Sequence, residues 1–145
     1  MEVLIKSYIM QKLNILLSVG ILIFCFLCIQ ISYNDTPSVS IFGSLVAIAY
    51  NALDKGWDFG LTNWTMNFTF LIVEFIVVVT CLLISAIIKN YKLLIFSLIL
   101  IILLWLFWGI TYRPYIEIKL YLLSSIPFLI AFTTVLYLSL KKINK

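Results

Sequence analysis

Glu74 is the residue whose setting most needs a chemical explanation. It is the one ionisable side chain well inside a long apolar run, Thr65 to Ile88. If that run crosses a bilayer as a helix, Glu74 lies within about 4 Å of the midplane, at about 1.5 Å per residue. A charge at that depth is costly, so acids there usually turn toward the interior of a helix bundle. No Lys, Arg or His shares its depth in this chain. The neutral, protonated form is the cheaper one for such an acid, unless a cation, water or a second chain relieves it. Its chemistry would then be proton or cation coupling, a ring of carboxyls about an oligomer axis, or a hydrogen bond that orders the packing. Asn67, Glu74, Cys81 and Ser85 fall within about 40° of arc at about 100° per residue, and so share one helix face.

The second candidate is the pair Cys25 and Cys28, a C-x-x-C inside the first apolar run. Redox or metal chemistry needs a thiolate, and no cationic neighbour favours one there. Three cysteines, all in apolar runs, read as small hydrophobes rather than a disulfide framework. Together with Asn14, Ser18 and Ser32, Cys25 and Cys28 form a small, weakly polar stripe within about 80° of arc. Such stripes let helices approach closely in lipid. The two stripes are expected to meet or to line a shared axis.

The elements that must position these residues follow from composition. Of 145 residues, 64% are hydrophobic and only 11% charged, and mean hydropathy is +1.17. A soluble domain is about half apolar and a quarter charged, so lipid is the expected solvent here. Four apolar runs, about 13–32, 65–88, 93–112 and 120–140, are each long enough to span a hydrocarbon core of about 30 Å. Backbone amides in lipid must pair within their own segment, which makes each run a helix. The expected architecture is an all-α membrane protein, a single domain over residues 1–145 forming a four-transmembrane-helix bundle. A signal peptide is not expected, because the first run is too long and lacks a small-x-small cleavage site. The third run, almost wholly Leu, Ile, Phe and Trp, is expected to be the most lipid-facing. In the fourth, Pro127 frees the carbonyl of Leu123, with Ser124, Ser125, Thr133 and Thr134 at hand as polar partners.

Orientation follows the basic residues of the short connections. Lys6, Lys12, Lys89, Lys92, Lys141, Lys142 and Lys145 fall on one side; Lys55, Arg113 and Lys119 fall on the other among four acids. The first side, with both termini, is expected in the cytoplasm, and the protein in a bacterial inner membrane. Trp57, Trp64, Trp105, Trp108 and Tyr112 would then anchor the outer interface, where rings with a polar edge settle. Trp105, Trp108 and Tyr112 share one face, expected to meet headgroups.

Residues 33–64 form the one sizeable loop, on the outer side. Thr36-Pro37 reads as helix cap and first helical position and Gly56 as a terminator. Between them, about 37–55, an amphipathic helix is expected, with Ser40, Ser44, Ala47, Asn51 and Asp54 opposite Ile41, Phe42, Leu45, Ile48, Ala49 and Ala52. It would lie in the outer interface or cap the bundle. Three N-x-S/T sequons, at Asn34, Asn63 and Asn67, sit so close to the bilayer that they read as coincidence.

The chain has no histidine, and no P-loop, H-E-x-x-H, G-x-S-x-G or EF-hand pattern occurs. No enzyme, cofactor or metal site is therefore expected. The lysines flank apolar runs and form no stripe, which speaks against nucleic acid as a partner. In size and topology alone, with no shared motif, the chain is similar to small membrane subunits of phage-defence systems such as Kiwa, to immunity proteins against pore-forming bacteriocins, and to four-helix drug exporters. The exporters carry an acid in their first helix, whereas the run 13–32 has none. The reading taken forward is a homo-oligomeric sensor or scaffold subunit that docks a soluble protein at its short basic cytoplasmic parts. Immunity protein and small Glu74-dependent channel are the alternatives.

Overall fold

The structure is a computed structural model. It describes residues 2–31, 38–55, 65–111 and 118–143, with side chains for 15–31, 38–47, 49–50, 72–109 and 118–143. Among the described residues the protein is helical apart from one short ribbon. Its elements are α1 (Glu2–Leu27), β1 (Gln30–Ile31), β2 (Val39–Ser40), α2 (Ile41–Lys55), α3 (Thr65–Ile88), α4 (Tyr91–Thr111) and α5 (Ile118–Ile143).

The four long helices pack in a ring in which α1 touches α3 and α5, and α4 touches the same two. Their directions alternate. Phe26, near the end of α1, stacks on Phe75 in the first half of α3 at 5.6 Å and 15°. The same ring meets Phe128, in the first half of α5, edge-on at 5.4 Å. The turn between α3 and α4 explains the sharp reversal there. Lys89 takes a left-handed conformation, φ 62°, the amide of Asn90 donates to the carbonyl of Ser85 at 3.0 Å, and the Asn90 side chain accepts from the amide of Leu93 at 3.1 Å. One Schellman stop and one cap therefore close two helices within two residues.

At its other end α1 stops at Leu27, short of the expected Ser32. The alternation Ile29, Gln30, Ile31 takes over: both isoleucines are fully buried and Gln30 is half-buried. β1 pairs antiparallel with β2, Gln30 opposite Ser40 and Ile31 opposite Val39, and the amide of Ile41 donates to the carbonyl of Ile29 at 2.9 Å. α2 follows directly, starting at Ile41 instead of Pro37. Ser40 is its cap, its hydroxyl oxygen accepting from the amide of Gly43 at 3.1 Å. Gly43 lies close to β2: a Cβ there would stand 2.7 Å from Val39 Cγ1, so a larger residue would have to displace the Val39 side chain. Thr36, Pro37 and Gly56 lie outside the described residues. Removing the cap in Ser40→Ala is expected to cost α2 about 1 kcal/mol, read as roughly fivefold faster amide exchange in its first turn with α4 unchanged.

Helix α2 is apolar over nearly half its circumference, and only part of that arc is used. Ile41 is buried and Leu45 packs on the core, while Phe42, Val46 and Tyr50 are exposed. The same holds for the whole molecule. Among the described residues, more large apolar side chains lie on the surface than in the core, whereas the buried polar residues are serines: Ser85, Ser97, Ser125 and Ser139. Each serine hydroxyl donates to a carbonyl of its own helix, so it can sit at a helix contact without needing a partner across it. Among the described residues, two helices are long and apolar enough to cross a membrane: Tyr91–Gly109, with mean hydropathy 2.4, and Ile118–Ile143, with 1.8. Only 33% and 22% of their windows are buried, unlike the core helix of a soluble protein, which is covered on most sides.

One expectation is overturned here. α4 is not the outermost helix. Leu94, Ser97, Leu98, Ile101, Leu104 and Trp108, recurring at three and four residues, form a buried seam between α3 and α5. A helix apolar on all sides gives hydropathy no face to choose, and fit between side chains decides instead.

Candidate functional site

The structure concentrates its polar chemistry at the end of the bundle where α1 finishes, α4 ends and α5 begins. Five hydrogen bonds there converge on the first two turns of α5. The Tyr121 hydroxyl donates to the backbone carbonyl of Trp105 at 2.7 Å. The Trp105 indole N–H donates to Ser125 Oγ at 2.9 Å, and Ser125 in turn donates to the carbonyl of Tyr121 at 2.6 Å. Ser124 donates to that same carbonyl at 3.1 Å and accepts from the backbone amide of Gln30 at 2.9 Å. The node thus ties α4 and the β1 ribbon to α5 without any charge.

Packing holds these groups in register. The rings of Trp105 and Tyr121 stack at 5.9 Å and 11°. Gly109, one turn after Trp105, admits the Tyr121 ring against the α4 backbone, because a Cβ there would lie 3.1 Å from Tyr121 Cε1. Toward the bundle middle the node rests on aromatics: Phe128 touches Trp105 at 6.3 Å, Phe132 at 6.4 Å, and Phe26. This is an interior filled by rings. It can hold helices together or transmit a change in their angle, and it leaves no polar path along the axis at that level.

Trp105 and Trp108 were expected to face headgroups, and they turn inward. Trp108 is 1% exposed, and Trp105 is half-buried with its N–H on Ser125. A buried indole carries one donor that needs a partner, and for Trp105 Ser125 on α5 supplies it. That serine pair, with a glycine one turn beyond a tryptophan, was the sequence signal for the node. Thr133 and Thr134 both donate to the carbonyl of Ile130, inside their own helix. Trp57, Trp64 and Tyr112 lie outside the described residues.

The two small-polar stripes flank the buried faces. On α3, Ser85 is fully buried, Glu74 and Cys81 are half-buried, and Asn67 belongs to the part of the helix whose side chains are not described. Glu74 makes no hydrogen bond or ion pair among the described residues. It sits beside Phe75, at the level of the Phe26 contact, on the edge between the buried Val78–Leu82 face and the exposed Val73–Val77 face. On α1 the buried stripe is Ile15, Val19, Leu22 and Phe26, continued past the helix end by Ile29. Ser18 and Cys25 lie at its margin, half-buried, and Cys28 is exposed; Asn14 and Ser32 are outside the described side chains. All three cysteines are free. The described side-chain contact between α1 and α3 is the stack of Phe26 on Phe75. Among the described residues no group of His, Cys, Asp or Glu is arranged to hold a metal ion.

No protein family, no curated protein and no solved structure shows significant similarity to the chain.

Proposed function

We propose that the chain is a multi-pass membrane protein in which α1, α3, α4 and α5 all cross the bilayer, with both termini in the cytoplasm of a bacterial cell. One observation carries this reading. The outward faces of the long helices are apolar while the interior holds serines, and that distribution suits lipid as the solvent. The alternating path also gathers Lys89, Lys92, Lys141 and Lys142 at one end, as retention of basic residues in the cytoplasm requires. At the other end, the exposed Phe42, Val46 and Tyr50 of α2 suit the boundary between headgroups and acyl chains.

In this frame the protein is a non-enzymatic scaffold or sensor subunit, of the sort used in membrane-linked defence. The bundle is its membrane anchor, and the lysine-bearing end docks an acidic soluble partner. The α2 helix and the Trp105–Tyr121 node respond to disturbance of the outer leaflet. Filling of the interior by Phe26, Phe75 and Phe128 favours this over a channel through a single chain. Single-cysteine labelling tests the map, in a background where the native cysteines are replaced. Tyr50→Cys is expected to react with an impermeant maleimide in intact cells lacking an outer membrane barrier. Asn90→Cys and Lys141→Cys are expected to react only after permeabilisation. Reaction of positions 90 and 141 from opposite sides would end the four-span reading.

A further inference from the structure

We infer that Cys25 and Cys28 form a redox-active dithiol at the outer end of α1, which closes to an intramolecular disulfide on meeting a disulfide oxidant outside the cytoplasm. The inference rests on the membrane reading above, because that reading sets which compartment the pair faces. In the sequence this C-x-x-C lies inside the apolar run 13–32, where it reads as two small hydrophobes. The structure ends α1 at Leu27. Cys28 therefore follows the helix and is exposed, whereas Cys25 is half-buried in the last turn. Phe26, between them, is fully buried and fixes the rotation of that turn.

The spacing suits a disulfide. Residues three apart on a helix lie about 60° apart around the axis and about 4.5 Å along it, which puts their Cα atoms about 5 Å apart. Disulfides span Cα separations of about 4.4–6.8 Å. The Cys28 amide donates to the carbonyl of Phe24 at 3.1 Å, so helical spacing holds as far as Cys28. The two thiols are near enough for a charge on one to be felt at the other. Cβ atoms three residues apart on a helix stand about 5–6 Å from each other, and a disulfide brings them to about 3.8 Å. The closure of about 2 Å falls on Cys28, which no helix continues. Cys81 is placed differently. It lies six residues beyond Phe75, the α3 residue that meets Phe26, hence about 9 Å further toward the lysine-bearing end at about 1.5 Å per residue.

The two cysteines divide the work of thiol–disulfide exchange. Cys28, the accessible one, attacks first as a thiolate. Its Sγ bonds to one sulfur of the oxidant's disulfide, that S–S bond breaks, and the other sulfur leaves with the proton that Cys28 gave up. Cys25 Sγ then attacks the Cys28 sulfur of the mixed disulfide. The second oxidant sulfur leaves as a thiol with the Cys25 proton. Two electrons and two protons pass to the oxidant, one S–S bond having broken and one formed. Disulfides persist outside the cytoplasm and are reduced within it, so the outer position of the pair sets the direction.

Counting free thiols tests this. Cells expressing the full chain are quenched with acid to stop exchange, and the protein is denatured, alkylated with a maleimide and weighed intact. The monomer is expected to carry one maleimide, on Cys81, before reduction and three after it. Cys28→Ala is expected to carry two without any reductant, because Cys25 loses its partner. In native membranes treated with reductant, an impermeant maleimide added from outside is expected to label Cys28 and to leave Cys81 unlabelled. Three maleimides before reduction overturn the inference, as does a disulfide found only between two copies, or a Cys28 that the impermeant reagent cannot reach. Labelling of Tyr50→Cys separates the two readings. If Tyr50→Cys reacts from outside and the three thiols are nevertheless free, only the dithiol is lost; if it reacts solely after permeabilisation, the membrane map falls with it.

Discussion

Replacing Phe128 by alanine is expected to destabilise the bundle by about 3 kcal/mol, the low end of the range for such truncations in soluble cores. Phe128 is fully buried and sits where α1, α4 and α5 converge, against Phe26 at 5.4 Å and Trp105 at 6.3 Å. Two terms make up the usual cost of a large-to-small change: lost transfer from water, and the contacts forfeited around the cavity. In a bilayer the separated helices are already in an apolar solvent, so the first term largely disappears and the second remains. Phe128→Leu should cost only about 1 kcal/mol, since most of the volume is kept. Reversible unfolding in mixed detergent micelles, followed by the emission of the buried tryptophans, measures both. A loss under about 0.5 kcal/mol for the alanine variant, the range of ordinary surface changes, would mean that the aromatic cluster is not what holds α1, α4 and α5 together.

The double variant Ile99→Lys and Leu103→Lys is expected to have the largest effect on location. Ile99 and Leu103 are 49% and 53% exposed on one outward side of α4, one turn apart in the middle of the helix. Neither belongs to the buried seam, so in water the exchange would be nearly neutral to stability, within about 0.5 kcal/mol. In lipid each lysine costs about 2.5–3.5 kcal/mol at the helix centre on the insertion scale, about 5–7 kcal/mol for the two. The membrane-inserted fraction should fall sharply, with degradation of the remainder, while a lysine pair placed at the exposed Leu140 and Ile143, beside Lys141 and Lys142 at the end of α5, would change little. A variant that is merely more soluble, with unaltered abundance, would show that water bathes this face.

These two variants also mark how far the chain could be read without coordinates. Helicity was legible because long runs such as 93–112 cannot satisfy their backbone in any other way in an apolar solvent, and the helices over Tyr91–Gly109 and Ile118–Ile143 carry that signal in full. The amphipathic character of the segment now seen as α2 was legible from its periodicity, though its start was placed at a proline when a serine three residues later does the capping. The short ribbon of Gln30–Ile31 with Val39–Ser40 was missed. Its alternation of buried Ile29 and Ile31 about Gln30 is visible in the sequence, but it spans too few residues to stand out against an apolar run.

Which side of each helix faces inward was decided by the tertiary structure alone. Hydropathy sorts residues between water and oil; where the inward and outward faces of a helix are equally apolar, Leu104 and Leu103 are equivalent to it. Yet one is 4% and the other 53% exposed. The choice falls to shape and to hydrogen-bond partners: Gly109 admitting the Tyr121 ring, Ser125 receiving the Trp105 indole, Phe26 filling the space between Phe75 and Phe128. Such pairings join residues far apart in the chain, so no local pattern announces them. Composition therefore determined the apolar character and the helices, and three-dimensional fit determined the faces, turning two expected interface tryptophans inward and leaving Gly20 open at the surface.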